Sequence, residues 1–249
     1  MTQNGKPFNR DDEVLEQLYA KYVKGGIRVS GWRQWTYYIF KRNMWIIVVE
    51  GCRAVKRLMD IAGSAAGLIV LSPLFLLTAL SIKLEDRGPV FFGQNRVGKW
   101  GHVFKMYKFR SMVVNADKMK DALLSENEAG GVMFKMKRDP RITRVGRVIR
   151  KLSIDELPQL LNVLKGDMSL VGPRPPVPRE VAEYELSDRR RLEMIPGLTC
   201  LWQVSGRSDI NFEGQVRLDV QYLESQSLKG DIILLLKTIP AVLSGKGAY

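Results

Sequence analysis

The sequence predicts a mostly α-helical α+β protein: a re-entrant membrane helix kinked at Ser72-Pro73, a small cytoplasmic domain and interfacial amphipathic helices. Three observations carry this expectation. Residues 61–82 run for 22 positions without a charge. The net charge of +13 is concentrated in residues 100–151, which hold 13 basic and 5 acidic side chains. Gly-punctuated β-prone runs occupy residues 88–112, whereas helical periodicity governs the segments around them.

Composition narrows the class further. With 249 residues, 45% of them hydrophobic, the chain can bury a real core and is not a disordered tail. Cys52, Cys200 and the single His102 exclude a disulfide framework and a four-ligand Cys/His zinc site, so a reducing compartment is the default. So basic a block wants a polyanion: nucleic acid, an anionic membrane face or a phosphate-rich small molecule. Composition does not choose among them.

In chain order, residues 1–14 lack the basic and apolar regions of a secretory signal. Residues 11–24 place Val14, Leu15, Leu18, Tyr19 and Tyr22 on one helical face before Gly25-Gly26, which predicts a short amphipathic helix. Trp32, Trp35, Tyr37, Tyr38, Phe40 and Trp45 then interleave with Arg33, Lys41 and Arg42, suiting either a headgroup-level belt or a packed aromatic cluster. The uncharged segment 61–82 is long enough, as a helix, to reach across a ~30 Å hydrocarbon core, with a buried core helix as the alternative. Pro73 removes a backbone donor and crowds the carbonyl of Ile69, so the helix kinks or breaks midway. Arg53, Lys56 and Arg57 precede the segment and Lys83 and Arg87 follow it. That symmetry predicts entry and exit on one cytoplasmic face, against a kinked spanning helix. The domains expected are an N-terminal extension (1–50), a re-entrant region (51–87) and a cytoplasmic part (88–249).

Residues 88–112 predict a small hairpin. Within it Lys105, Lys108 and Arg110 alternate with Phe104, Tyr107 and Phe109, a pattern shared by single-strand nucleic-acid platforms and ordinary solvated strands. Arg141, Arg144, Arg147 and Arg150 recur every three residues as a basic helical stripe opposite Val145 and Ile149, and an external anion is its simplest compensation. Asp155 and Glu156 follow directly. Ser153 with Glu156 has capping-box spacing, whereas Pro158 fits better with Asp155 near the cap. Either way two carboxylates stand at a helix start beside arginines, which suits helix capping or an anion site where a carboxylate approaches phosphorus. The C-terminal residues 231–249, broken by Pro240, suit an interfacial helix or core packing.

The run RKLSIDELPQLLNVL (150–164) and the run GDMSLVGPRP (166–175) closely resemble the signature of the bacterial sugar transferases, the monotopic polyprenyl-phosphate sugar-1-phosphate transferases. The likeness extends over residues 53–249 through Lys56-Arg57, Asp60, Ser72-Pro73, KMYKFRSM (105–112), Ser205-Gly206-Arg207 and the closing Gly247-Ala248-Tyr249. It implies a phosphoglycosyl transferase that moves a sugar-1-phosphate from a nucleotide (uridine) diphospho-sugar to undecaprenyl phosphate and releases a nucleoside monophosphate. By the same resemblance Asp155 is the nucleophile, through a covalent phospho-sugar aspartate, and Glu156 its partner. Mg²⁺ is held by Asp155 and Glu156, and Arg150, Arg174, Arg207 and Lys108 grip phosphates. Asp167 caps or braces its turn, and the membrane helix breaks at Ser72 and Pro73. Residues 88–249 become the catalytic domain, facing the cytoplasm from the bacterial inner membrane, with membrane lipid and no nucleic acid as partners. Residues 1–50 suit homodimerisation as well as membrane attachment. The rival from another class is a non-enzymatic basic membrane-surface or nucleic-acid-binding protein in which Asp155 and Glu156 merely cap a helix.

Overall fold

The computed structural model describes residues 32–116, 119, 139–206 and 210–244. The amphipathic helix expected at 11–24, Arg207 and the closing residues 247–249 lie outside them. Chain packing divides the protein into two units, residues 1–54 and 55–249. The described part of the first unit is helical, and its Trp35, Tyr37, Phe40 and Trp45 are exposed rather than packed together. Helix α1 spans Trp32–Val70 and α2 spans Ser72–Asp86.

These helices meet at a 59° bend. Pro73 has no N–H to offer the carbonyl of Ile69, and the Ser72 hydroxyl donates to that carbonyl instead, at 2.8 Å. The serine therefore satisfies what the proline orphans. Among the described residues no single helix is long and apolar enough to cross a membrane; the bent pair together has the length and composition alone. Ile69, Val70, Leu76 and Leu77 are exposed around the bend while Ser64, Thr78 and Ile82 are buried, so this is not the core helix that the bland alternative required. Pro73→Ala restores the missing bond and should straighten the pair. A spin-label distance between positions 61 and 84 should lengthen by about 4 Å at 1.5 Å rise per residue; a change under about 1 Å would assign the bend to packing instead.

Strands β1 (Phe91–Val97) and β2 (Val103–Phe109) form the expected antiparallel hairpin, Phe91 opposite Phe109 and Val97 opposite Val103. Phe104 and Met106 face a core built with Leu160, Val163, Met168, Leu170, Val171, Tyr222 and Leu234. Phe109 packs with Ile82 and Ile149 between the rings of Phe75 and Phe91. Two of the three aromatics that made this strand resemble a base-stacking platform are thus buried. Lys108 shares the inward face with Phe104 and Met106, since side chains alternate along a strand.

Helix α3 (Arg144–Lys151) begins at Thr143, whose hydroxyl accepts from the Gly146 N–H, and the Glu85 carboxylate accepts from Arg144 N at 2.7 Å. Arg141 therefore precedes the helix instead of belonging to its stripe. It is buried against Asp139 at 2.6 Å, so an acid two residues away supplies the compensation assigned above to an external anion. Beyond α3 a 3₁₀ turn (Ile154–Gln159) leads into α4 (Leu160–Lys165). Strand β3 (Ser169–Val171) pairs in parallel with β4 (Gly197–Thr199), Ser169 facing Gly197. Short helices α5 (Pro178–Ala182) and α6 (Leu201–Ser205) precede α7 (Phe212–Ser225) and α8 (Leu228–Ser244).

One stretch of α1 ties these pieces together. Lys56 Nζ donates to Asp231 at 2.6 Å and to the Val171 carbonyl, while Arg57 donates to the carbonyls of Val163 and Leu164 near the end of α4. Asp60 accepts from Ser169 Oγ and Leu170 N. Helix α8 buries Asp231 and Leu234 and exposes Ile232, Ile233, Leu236 and Ile239, so it packs on the core and still presents an apolar outer face.

Candidate active site

The backbone creates the site by turning sharply after α3. Ser153 sits in the left-handed region (φ 54) and makes no side-chain cap, so the capping box its spacing offered is not formed. The reason is that Glu156 is engaged elsewhere. Its Oε1 accepts from Lys108 Nζ and from Arg174 Nη2, each at 2.8 Å. Burial alone would raise the Glu156 carboxyl, but Arg174 and Lys108 hold it well below the usual carboxylate range. Conversely, burial lowers the Lys108 ammonium, and the charge of Glu156 holds the Arg174 guanidinium above its ordinary value.

Asp155 is the opposite case. It is 8% exposed and its carboxylate makes no hydrogen bond or ion pair with any described residue. Burial pushes it up to about 6, with Glu156 adding to the rise and Lys108, Arg150 and Arg174 opposing it. One carboxylate is thus answered by two cations, whereas its neighbour has none in contact among the described residues, so the two environments push the pair's proton affinities apart.

Arg174 is placed by a loop pinned on both sides. Gly172 N donates to the Thr199 carbonyl and Gly197 N to the Pro173 carbonyl, at 3.0 and 2.8 Å. On the far side Arg96 Nη1 donates to the Pro175 carbonyl and Val97 N to the Pro176 carbonyl, at 3.0 and 2.9 Å. Pro173, Pro175 and Pro176 have no N–H of their own, so their carbonyls are the handles. Gly172 and Gly197 allow the two backbones to approach, for a Cβ on Gly197 would lie 2.0 Å from Gly172 N.

The structure brings Asp155, Glu156, Lys108 and Arg174 together, with Arg150 acting on Asp155 from the last turn of α3. Ser72 and Pro73 stand apart from this cluster, at the helix break. Asp167 accepts from Asn162 Nδ2 at 3.2 Å and so braces its turn. The sequence reading missed two residues. Asn162, wholly buried, links α4 to β2 through Tyr107 N and the Lys105 carbonyl, and its signal was a lone amide inside an apolar run. Arg96, in the predicted hairpin, looked like an ordinary strand cation.

Among the described residues no group of three or more His, Cys, Asp or Glu converges to hold a metal ion. The carboxylate pair offers the oxygens of Asp155 and the second oxygen of Glu156, since Lys108 and Arg174 both bond to Glu156 Oε1. Such a donor set fits Mg²⁺, which binds through one or two carboxylates and completes its shell with water and substrate phosphate oxygens.

A protein with these elements and this acidic pair set among basic groups can be compared with known proteins. The family described as bacterial sugar transferase matches residues 51–245. The chain belongs to that family. It is 50% identical over 194 residues to the galactosyl transferase CpsE of Streptococcus agalactiae, covering 78% of this chain and 43% of that one. It is 44% identical over 198 residues to the exopolysaccharide production protein ExoY of Sinorhizobium fredii, covering 78% and 88%. With the undecaprenyl-phosphate galactose phosphotransferase of Salmonella typhimurium it shares 43% identity over 222 residues, covering 85% and 46%. The match therefore spans less than half of the first and third of these relatives and most of the second.

Proposed function

We propose that this protein transfers a sugar-1-phosphate from a uridine diphospho-sugar to undecaprenyl phosphate, giving an undecaprenyl-diphospho-sugar and a nucleoside monophosphate. The step initiates assembly of a bacterial polysaccharide or glycoconjugate. One observation carries the reading: Asp155 is a buried carboxylate with no hydrogen-bond or ion-pair partner among the described residues, beside a Glu156 that Lys108 and Arg174 already hold. Family membership and the similarity to the undecaprenyl-phosphate galactose phosphotransferase of Salmonella typhimurium support the acceptor class.

The chemistry follows from these roles. An Asp155 oxygen attacks the phosphorus that bears the sugar. The bond from that phosphorus to the bridging oxygen breaks, and the nucleoside monophosphate leaves with the electron pair. A phosphate oxygen of the lipid then attacks the same phosphorus, and the Asp155 oxygen departs as the carboxylate. Pushed up only to about 6, Asp155 is mostly ionised at neutral pH, and its loss of solvation makes it a stronger nucleophile than a hydrated carboxylate. Arg174, Arg150, Lys108 and, by resemblance, Arg207 hold phosphate oxygens, and guanidinium forks fix their orientation. Mg²⁺, held by Asp155 and Glu156, would neutralise diphosphate charge and improve the leaving group.

The acceptor's isoprenoid stays in a bilayer, so the enzyme must meet it there. The 59° bend and the exposed apolar residues of α1, α2 and α8 support a re-entrant anchor in the inner membrane, with the catalytic domain on the cytoplasmic side. A panel of uridine diphospho-sugars, offered with Mg²⁺ and undecaprenyl phosphate to the nanodisc-held protein, tests the assignment. Lipid-linked sugar diphosphate should form with at least one donor. Tight polyanion binding without product from any donor would support the non-enzymatic rival.

A further inference from the structure

Arg96 takes no part in the reaction just described, yet it belongs to the same charge cluster. It lies near the end of β1, opposite Phe104, and donates to the Pro175 carbonyl at 3.0 Å and to Gln94 Oε1 at 2.8 Å. Its Nε is buried without a hydrogen-bond partner. Burial, followed by the like charge of Arg174, pushes the guanidinium down to about 10, with Glu180 and Glu156 opposing. Two guanidiniums are therefore held close enough to disfavour each other, and only Arg174 has a carboxylate in contact.

That geometry has a consequence for Arg174. Among the described residues the only side-chain hydrogen bond on the Pro173–Pro176 carbonyls comes from Arg96, at Pro175, one residue beyond Arg174. We propose that Arg96 is the positioning residue for Arg174: its grip on the Pro175 carbonyl sets the Arg174 fork toward the Asp155–Glu156 pair. The inference rests on the reading that Arg174 holds the donor's phosphates.

A double-mutant cycle on the full chain in nanodiscs, with inorganic pyrophosphate and Mg²⁺ as the probe, tests it. Arg96→Gln should weaken pyrophosphate binding by about tenfold in the native background and by less than about twofold in an Arg174→Gln background, the non-additivity of residues acting through one another. Arg96→Lys, run in the same cycle, keeps the charge and loses the fork. It should recover part of the loss, and it provides the measurement if the Gln variant does not fold. Equal losses in both backgrounds, or none, would overturn the positioning role. Native-like binding by Arg174→Gln alone would overturn the phosphate role of Arg174 and the inference with it.

Discussion

Asp155→Asn abolishes transfer and leaves the fold intact. On the proposed mechanism this substitution removes the nucleophile of a two-step displacement and should lower kcat/KM by about four orders of magnitude, since the adjacent Glu156 is tied to Lys108 and Arg174. Stability should move the other way. The Asp155 carboxylate is buried without a partner among the described residues, and an isosteric neutral amide relieves that desolvation, so stability should hold or rise, by on the order of 1–2 kcal/mol. Its neighbour predicts the opposite. Glu156→Gln leaves the half-buried Lys108 and Arg174 without their anion and should cost about 2 kcal/mol, between the cost of an exposed pair and that of a fully buried one. Calorimetry of both variants checks the contrast. Equal destabilisation by the two would contradict the division of labour between the carboxylates.

The second large effect lies outside the carboxylate pair. In Gly197→Ala the new Cβ would stand 2.0 Å from Gly172 N, 2.5 Å from its carbonyl oxygen and 2.6 Å from its Cα, all of them backbone atoms. No rotamer relieves such a contact, so β3 and β4 must part and the Gly197 N–Pro173 carbonyl bond is lost. The expected cost is about 3 kcal/mol or more, at the upper end of overpacking. Because that bond pins the loop of Arg174, any folded fraction should also bind donor poorly. Gly51→Ala is the matched control: nothing lies within 4 Å of its Cβ, and helix propensity makes it neutral or slightly stabilising. Denaturant titration of the pair should separate them cleanly, and similar midpoints would show that the close approach at Gly172 is not needed.

What could be read before the structure was what short-range chemistry governs. A proline's missing donor acts on the carbonyl four residues earlier, so the break at Ser72-Pro73 was predictable from two adjacent letters, including the crowding at Ile69. The hairpin declared itself by alternation and glycine punctuation. The Asp155-Glu156 pair stood out because it sat in a long, ordered run. Its environment did not, because the groups that define it come from far along the chain. Lys108 is 48 residues from Glu156 and Lys56 is 175 from Asp231, and pairings of that range leave no local periodicity. Local rules also lost to distant partners. Ser153 and Glu156 have capping-box spacing, but two half-buried cations hold the glutamate more strongly than one backbone N–H would. Arg141 had the spacing of the stripe, but Asp139 claimed it before the helix began. Asn162 signalled itself only as a lone amide in an apolar run and Arg96 not at all, because a polar residue in the interior announces its role through the partners that permit its burial.

The central claim is that Asp155 takes the phospho-sugar before the lipid does. Rapid-quench measurement of nucleoside monophosphate release, with the turned-over donor and Mg²⁺ but no undecaprenyl phosphate, tests it most directly. The account predicts a burst approaching one equivalent per active site from the native protein and none from Asp155→Asn. Release that begins only when the lipid is added, with no burst at any donor concentration, would contradict it and assign the attack to the lipid phosphate itself.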